Sequence, residues 1–285
     1  APTNVVRRGF GVFGWCSSKH ALHSGITVRP LTQLPREEAL RLDGLFFDLD
    51  DTLLDHGKLS EASYSCLFRR RESGLRLIAL TGRPAAWAEL AARLWPVEAA
   101  IGENGALAYV HSSSGLERVD PVSPPERARR IAALADLVRE TRSAVPELVP
   151  ADDVAGRISD STFDIGEHQR PSEDSITRAI AIAERHGART ARSSVHLHFT
   201  FDHVDKATGA LAYLASRGVD TTRALGRFAF IGDSENDASC FAGFRTTFGV
   251  ANLRGSFSLL PRYQSQAEAG RGFVEVAQTL VALRR

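Results

Sequence analysis

Five short apolar runs, at residues 44–49, 76–80, 99–101, 227–231 and 246–250, set the architecture of this 285-residue chain. None alternates apolar with polar positions, so each predicts a strand buried on both faces, as in a parallel sheet covered by helices. Helical patterns fill the intervals. Pro84 opens one over 84–94, with Trp87, Leu90 and Leu94 on one face. Residues 205–217 read as a helix ended by Gly218, and 272–283 as a closing helix.

The middle of the chain has another texture. Residues 116–125 are turn-like, 126–142 predict a helix with Ile131, Leu134 and Val138 on one stripe, and 161–165 predict a strand. Residues 173–186 predict a helix stopped by Gly187. Over 194–201, Val195, Leu197, Phe199 and Phe201 alternate with His196, His198 and Thr200, the pattern of a half-buried antiparallel strand. The expected fold class is therefore α/β, a Rossmann-like parallel-sheet core split by an inserted α+β module. The expected divisions are an N-terminal extension over 1–41, core over 42–115, the module over 116–200, and core again over 201–285.

Charge excludes some partners. The chain carries 35 basic and 34 acidic side chains, a net +1, which calls for neither nucleic acid nor an acidic membrane. No run approaches the roughly 18 apolar residues of a membrane span. Residues 1–36 hold Arg7, Arg8, Lys19, Arg29 and Arg36 and no acid, a composition open to organellar targeting or to a plain extension. Cys16, Cys66 and Cys240 form no CxxC pair, so a reducing, cytoplasmic compartment is expected. Oligomeric state is not legible.

Chemistry concentrates where apolar runs end. Phe46-Phe47 leads into Asp48-Leu49-Asp50-Asp51-Thr52. Residues two apart on a strand point the same way, so Asp48 and Asp50 converge. Like charges so close call for a cation, and Mg²⁺ is the hard ion that oxygen ligands suit. A solvated acidic turn explains this run equally when it is taken alone. Residues 77–80 end in Thr81-Gly82-Arg83, a hydroxyl and backbone N–H groups at a strand-to-helix junction, fit for a phosphate oxygen or for an ordinary cap. Only three of the 35 basic residues are lysines, and Lys206 stands at a helix start, where the dipole disfavours a cation. Phe230-Ile231-Gly232 runs into Asp233-Ser234-Glu235-Asn236-Asp237, where Asp233 completes an oxygen shell and Asp237 sits one turn on.

In this order the four motifs resemble those of the haloacid dehalogenase (HAD) superfamily: Asp48/Asp50/Thr52, Thr81, Lys206 and Gly232/Asp233/Asp237. The resemblance spans roughly residues 42–285. Ile101-Gly102-Glu103-Asn104-Gly105-Ala106 and Gly249-Val250-Ala251-Asn252 are similar to the class IIB branch, whose α+β cap falls between the second and third motifs. That branch includes Cof-type, sucrose-phosphate and trehalose-phosphate phosphatases. Asp51 departs from the pattern, since many members have glycine there.

The resemblance implies a phosphatase acting on a small phosphorylated metabolite. Asp48 would be the nucleophile, Asp50 the general acid and base, and Asp48, the Asp50 carbonyl and Asp233 the Mg²⁺ ligands. Lys206 would serve the phosphoryl group, with Asp237 in support. Thr81, Gly82, Asn104 and Asn236 are the candidate phosphate and substrate contacts, and Glu103, His196 and His198 the candidates for specificity. A phosphomutase on the same scaffold, or a silent binding module, are the alternatives. His196 and His198 lack a third ligand at zinc-like spacing.

Overall fold

The computed structural model describes residues 28–72, 74–192, 195–253 and 258–285. Residues 1–27 of the targeting candidate over 1–36, Cys16 among them, and Ser194 lie outside these residues. Thirteen strands are described: β1 (Arg29–Pro30), β2 (Gly44–Phe47), β3 (Arg76–Leu80), β4 (Ala99–Gly102), β5 (Leu107–Ser112), β6 (Gly115–Val119), β7 (Val149–Pro150), β8 (Asp160–Asp164), β9 (Arg189–Arg192), β10 (His196–Thr200), β11 (Phe228–Gly232), β12 (Thr246–Gly249) and β13 (Tyr263–Gln264). The helices are α1 (Arg36–Leu40), α2 (Glu61–Glu72), α3 (Ala85–Leu94), α4 (Pro124–Ala144), α5 (Glu173–Arg185), α6 (Lys206–Ser216), α7 (Thr221–Arg227), α8 (Ala238–Gly243) and α9 (Ala269–Arg284).

The larger sheet has the order β1-β13-β12-β11-β2-β3-β4-β5-β6. It is parallel from β1 to β4, and β5 and β6 add an antiparallel edge. Its central strands are apolar throughout because both faces are covered. Leu45, Phe47, Leu77, Ala79, Ala229 and Ile231 face one core with residues of α1, α2, α3 and α9. Phe46, Ile78, Leu80, Phe228 and Phe230 face the other, with α6, α7 and α8. The five apolar runs are all strands of this sheet.

The smaller sheet, β7-β8-β10-β9, is antiparallel. Phe163, Leu197 and Phe199 point to one face and pack under Leu134 and Leu137 of α4 and Ile176 and Ala179 of α5. The alternation read over 194–201 is this face, with His196, His198 and Thr200 on the other. The connections between the sheets share charges: Arg127 of α4 holds Asp120 at 2.9 Å and Asp202 at 2.8 Å, and Arg130 also holds Asp202.

Four local expectations are corrected. Residues 116–119 are not a turn but part of β6, paired antiparallel with β5, so the larger sheet runs four residues into the span assigned to the inserted module. Residues 29–41 are not an extension outside the core: β1 pairs with β13, and Leu31 and Leu34 are buried in the core beneath α9. Helix α3 packs through Ala85, Ala88, Ala91 and Ala92, because β4 and β5 leave room only for small side chains, and Leu90 and Leu94 face solvent. On α4 the buried residues are Arg127, Leu134, Leu137 and Thr141, and Ile131 is exposed. Among the described residues no helix is long and apolar enough to cross a membrane.

Candidate active site

From β2 the chain departs to one side, through β3 and β4, and returns on the other side as β11. The carboxyl ends of β2, β3 and β11 thus frame the crevice of a topological switch point, where open α/β sheets bind ligands. Asp48 follows β2, Thr81 follows β3 and Asp233 follows β11. The Asp48 N–H donates to Ile231 O at 2.9 Å and the Thr81 N–H to Ile101 O at 2.9 Å. Each residue is therefore locked to the neighbouring strand one step past its own.

Lys206 is the first residue of α6. Asp205 caps this helix through a hydrogen bond from the Thr208 N–H. The lysine is only 1 % exposed, with Nζ 2.8 Å from Asp48 Oδ1 and 2.7 Å from Asp237 Oδ1. The other Asp237 oxygen accepts the backbone N–H groups of Asp233 and Ser234, at 2.9 and 3.1 Å. Oxygens of Asp48, Asp233 and Asp237 all lie within 4.8 Å of one another.

One ammonium cannot neutralise these carboxylates. Burial pushes the Asp48 carboxyl well above its ordinary range; Lys206 opposes this, while Asp237, Asp233 and Asp50 reinforce it. Burial and Asp237 raise Asp233 to about 7. Burial disfavours the Lys206 cation, but Asp237 and Asp48 outweigh it and hold the ammonium firmly protonated. A site of hard oxygen donors with surplus negative charge suits a divalent cation of the Mg²⁺ type. Asp237 is already committed to Lys206 and two amides, so Asp48 and Asp233 are the carboxylates left to hold it.

Two residues that orient Asp233 carried no role in the sequence reading. Thr52 Oγ1 donates to Asp233 Oδ1 at 3.2 Å, and Asn252 Nδ2 lies 3.3 Å from Oδ2 and 2.8 Å from the Asp51 carbonyl. Asn252 Oδ1 in turn accepts the Ala269 N–H at the start of α9. Asp51 has φ 49°, the left-handed region that glycine adopts without penalty. The turn after β2 takes that conformation at a non-glycine residue, and the Asp51 carboxylate lies 3.9 Å from His56 Nδ1.

The carboxylate of Asp50 lies outside the acidic cluster and is gripped by Arg83, with Nε 2.8 Å from one oxygen and 3.0 Å from the other. Arg83 stacks on Trp87, its guanidinium carbon 4.0 Å from the ring centroid. Its backbone N–H donates to Thr81 Oγ1 at 3.1 Å. Arg83 is the largest omission of the sequence reading. It stood in the Thr-Gly-Arg run, but nothing in spacing alone ties residue 83 to residue 50.

Glu103 and Asn104 separate in role. Glu103 is buried, and its carboxylate accepts the N–H groups of Ala85, Ile158, Ser159 and Asp160 as well as the Ser159 hydroxyl. It joins the larger sheet to the strand entering β8 and has no face left for a substrate, which corrects its assignment as a specificity contact. Asn104 Oδ1 accepts from Asn236 Nδ2 at 2.7 Å, so these two candidates do meet at the mouth of the crevice. Gly105 has φ 106° and lies against Gly209 of α6; a Cβ on Gly209 would stand 2.2 Å from Gly105 Cα. These paired glycines allow the approach that brings α6, and with it Lys206, into the site.

On the polar face of the smaller sheet, His198 Nδ1 lies 3.0 Å from Asp160 Oδ2 and 3.2 Å from Thr162 Oγ1. His196 Nε2 lies 3.0 Å from Glu167 Oε2. Each histidine thus has its own carboxylate and the two do not converge on one metal position.

Residues 45–136 match the family model of the haloacid dehalogenase-like hydrolases. No curated protein sequence matches the chain. Among solved structures, a Thermoplasma acidophilum protein is similar at TM-score 0.69 and 16% identity, covering 85% of this chain and 99% of its own. A HAD subclass IIB sugar phosphatase is similar at TM-score 0.57 and 16% identity, covering 83% of this chain and 98% of its own. The sucrose-phosphatase of Synechocystis, solved with sucrose and phosphate, is similar at TM-score 0.59 and 14% identity, covering 84% of this chain and 98% of its own.

Proposed function

We propose that this chain, a haloacid dehalogenase-like hydrolase, is a Mg²⁺-dependent phosphatase that cleaves the monoester of a small phosphorylated metabolite, a sugar phosphate, through an aspartyl-phosphate on Asp48. The observation that carries the proposal is the Asp48–Lys206–Asp237 ion-pair chain, buried at the switch point beside Asp233. A buried nucleophile held by a lysine, in an anionic cradle that asks for a divalent cation, is an arrangement for phosphoryl transfer.

Asp48, the Asp50 carbonyl and Asp233 would hold Mg²⁺, which when bound neutralises phosphoryl charge. Asp48 attacks phosphorus through the oxygen not held by Lys206. Lys206 and the Thr81 hydroxyl bind the other phosphoryl oxygens, Gly82 letting the backbone approach. Asp50 gives a proton to the leaving oxygen and then takes one from the water that opens the acyl phosphate. Arg83 holds Asp50 for that exchange, and Asp237 fixes Lys206. Asn104 and Asn236 line the entrance. The module carrying the smaller sheet acts as the cap, and the leaving group meets its polar face. The proposed setting is cytoplasmic, where thiols such as the buried Cys66 and Cys240 stay reduced.

A phosphomutase would need cap cations free for a second phosphate. Arg127, Arg130, Arg139, Arg157, Arg185 and Arg192 are each engaged by an acid, while Arg178 and Arg189 reach backbone carbonyls, so a charge-reversal scan of the cap arginines separates mutase from phosphatase. Phosphate release from a panel of sugar phosphates and from p-nitrophenyl phosphate, with Mg²⁺, with chelator and with Ca²⁺, tests the proposal. Release that requires Mg²⁺ and is suppressed by Ca²⁺, whose 6–8 ligands would engage both Asp48 oxygens, supports it. Full activity in chelator overturns it.

A further inference from the structure

Arg157 lies in the inserted module, remote from all four motifs, yet it reaches the core of the site. The turn before it is seated on the start of α3: a Cβ on Gly156 would stand 3.2 Å from Pro84 Cβ and 3.1 Å from Ala86 Cβ. The Arg157 side chain is 3 % exposed. Its Nε and Nη2 bind the two oxygens of Asp153 at 3.1 and 2.9 Å, and Nη1 lies 3.0 Å from both oxygens of Asp160. The same Nη1 donates to the Gly82 carbonyl at 3.3 Å. A planar guanidinium forked between two carboxylates is rigid and has little left to offer a substrate.

The Gly82 carbonyl and the Arg83 N–H belong to one planar peptide, so fixing one end fixes the other. That N–H donates to Thr81 Oγ1, which leaves the threonine hydroxyl hydrogen to point at a phosphoryl oxygen. The next side chain along is Arg83, which holds Asp50. We infer that Arg157 is a positioning residue for the proposed phosphoryl transfer: through the Gly82–Arg83 peptide it sets both the Thr81 hydroxyl and the Asp50 acid. The inference rests on the phosphatase reading and adds a dependence of the core chemistry on a residue of the inserted module. Asp160, its other anchor, also touches His198, so this guanidinium connects the polar face of the smaller sheet to the Thr81–Arg83 turn.

The test compares wild type with Arg157→Lys, Arg157→Ala and Asp153→Asn in the full chain. Turnover is measured on p-nitrophenyl phosphate and on phenyl phosphate, with the unfolding midpoint recorded for each variant. The two esters differ in how far the leaving oxygen needs the proton of Asp50. The expected result is a kcat on phenyl phosphate lower by about tenfold to a hundredfold, a smaller loss on p-nitrophenyl phosphate, and little change in KM. Added guanidinium ion should recover part of the loss in Arg157→Ala. If that variant does not fold, Arg157→Lys and Asp153→Asn carry the same ratio test, since the first keeps the cation but loses the fork and the second leaves the guanidinium in place but removes the charge of one anchor. Unchanged kcat, equal losses on both esters, or a rise in KM alone overturns the inference. A wild type that releases phosphate from neither ester nor from any sugar phosphate of the panel instead overturns the phosphatase reading.

Discussion

Lys206 Nζ lies 2.8 Å from Asp48 Oδ1, with the lysine almost wholly buried. That pairing separates this cluster from an ordinary acidic surface. A helix N-terminus repels a cation, and burial penalises one further. The site accepts both penalties because Asp48 and Asp237 hold the ammonium together.

Replacing Lys206 with methionine should expose the cost of that arrangement. The variant keeps the volume and leaves Asp48 and Asp237 facing each other without a cation. Losing one partner of a buried pair costs about 3–5 kcal/mol, so thermal unfolding should move sharply down. Turnover on p-nitrophenyl phosphate should fall by about 10²–10³, the scale of one lost electrostatic donor. Near-native turnover would mean that Lys206 is structural only.

Arg83→Gln should act through Asp50. The Asp50 carboxylate loses its two-pronged partner and the freedom it gains misplaces the proton donor. Turnover on alkyl phosphates should drop by about 10²-fold, within the range general acid catalysis contributes, and p-nitrophenyl phosphate should suffer less. A uniform rise in KM with kcat unchanged would reassign Arg83 to substrate binding.

Glu103→Gln distinguishes a joint between the sheets from a substrate contact. The amide turns an acceptor oxygen into a donor facing N–H groups it cannot satisfy, at a cost of about 1–3 kcal/mol. Stability should fall while KM across a sugar phosphate panel stays level. A selective change in KM at constant stability would restore Glu103 to the specificity set.

Much of this site was legible because its residues are adjacent in sequence to strand ends. Asp48, Asp50, Thr81 and Asp233 each follow an apolar run, and Lys206 stood out by the rarity of its type. The roles of Arg83 and Arg157 were not legible, and Thr52 and Asn252 stood in motifs without a role, because what each does depends on a partner distant in sequence: Asp50, Asp233 and the Gly82 carbonyl. The helical stripes misled for a different reason. Large apolar residues such as Leu90 and Ile131 signal periodicity, yet alanines form the buried face of α3, where close helix–sheet packing leaves no room for leucine. Residues 116–119 were missed because β6, an exposed and largely polar edge strand, carries little apolar pattern. Chain division followed the composition change, so β1 and α1, short and flanked by basic residues, were placed outside a core they help to build.

Asp160 gives a pH prediction. Burial raises its carboxyl, but the hydrogen bond with His198 and the charge of Arg157 outweigh it, and the net shift is downward. The folded state therefore binds this proton more weakly than the unfolded chain. Its contribution to stability is complete above the unfolded value of about 3.9 and is lost as pH falls through the lower folded one. Asp160→Asn should lower the unfolding midpoint near neutrality and flatten its decline in acid. A variant whose acid decline parallels wild type would remove Asp160 from the account.

The central claim is that phosphorus passes through Asp48. Enzyme mixed with p-nitrophenyl phosphate and Mg²⁺, quenched in acid within one turnover and digested, should carry one phosphoryl group on the peptide containing Asp48. Asp48→Asn should fold, carry no phosphoryl group and release no phosphate. Turnover in Asp48→Asn within tenfold of wild type, or a phosphoryl group found on another residue, would contradict the assignment.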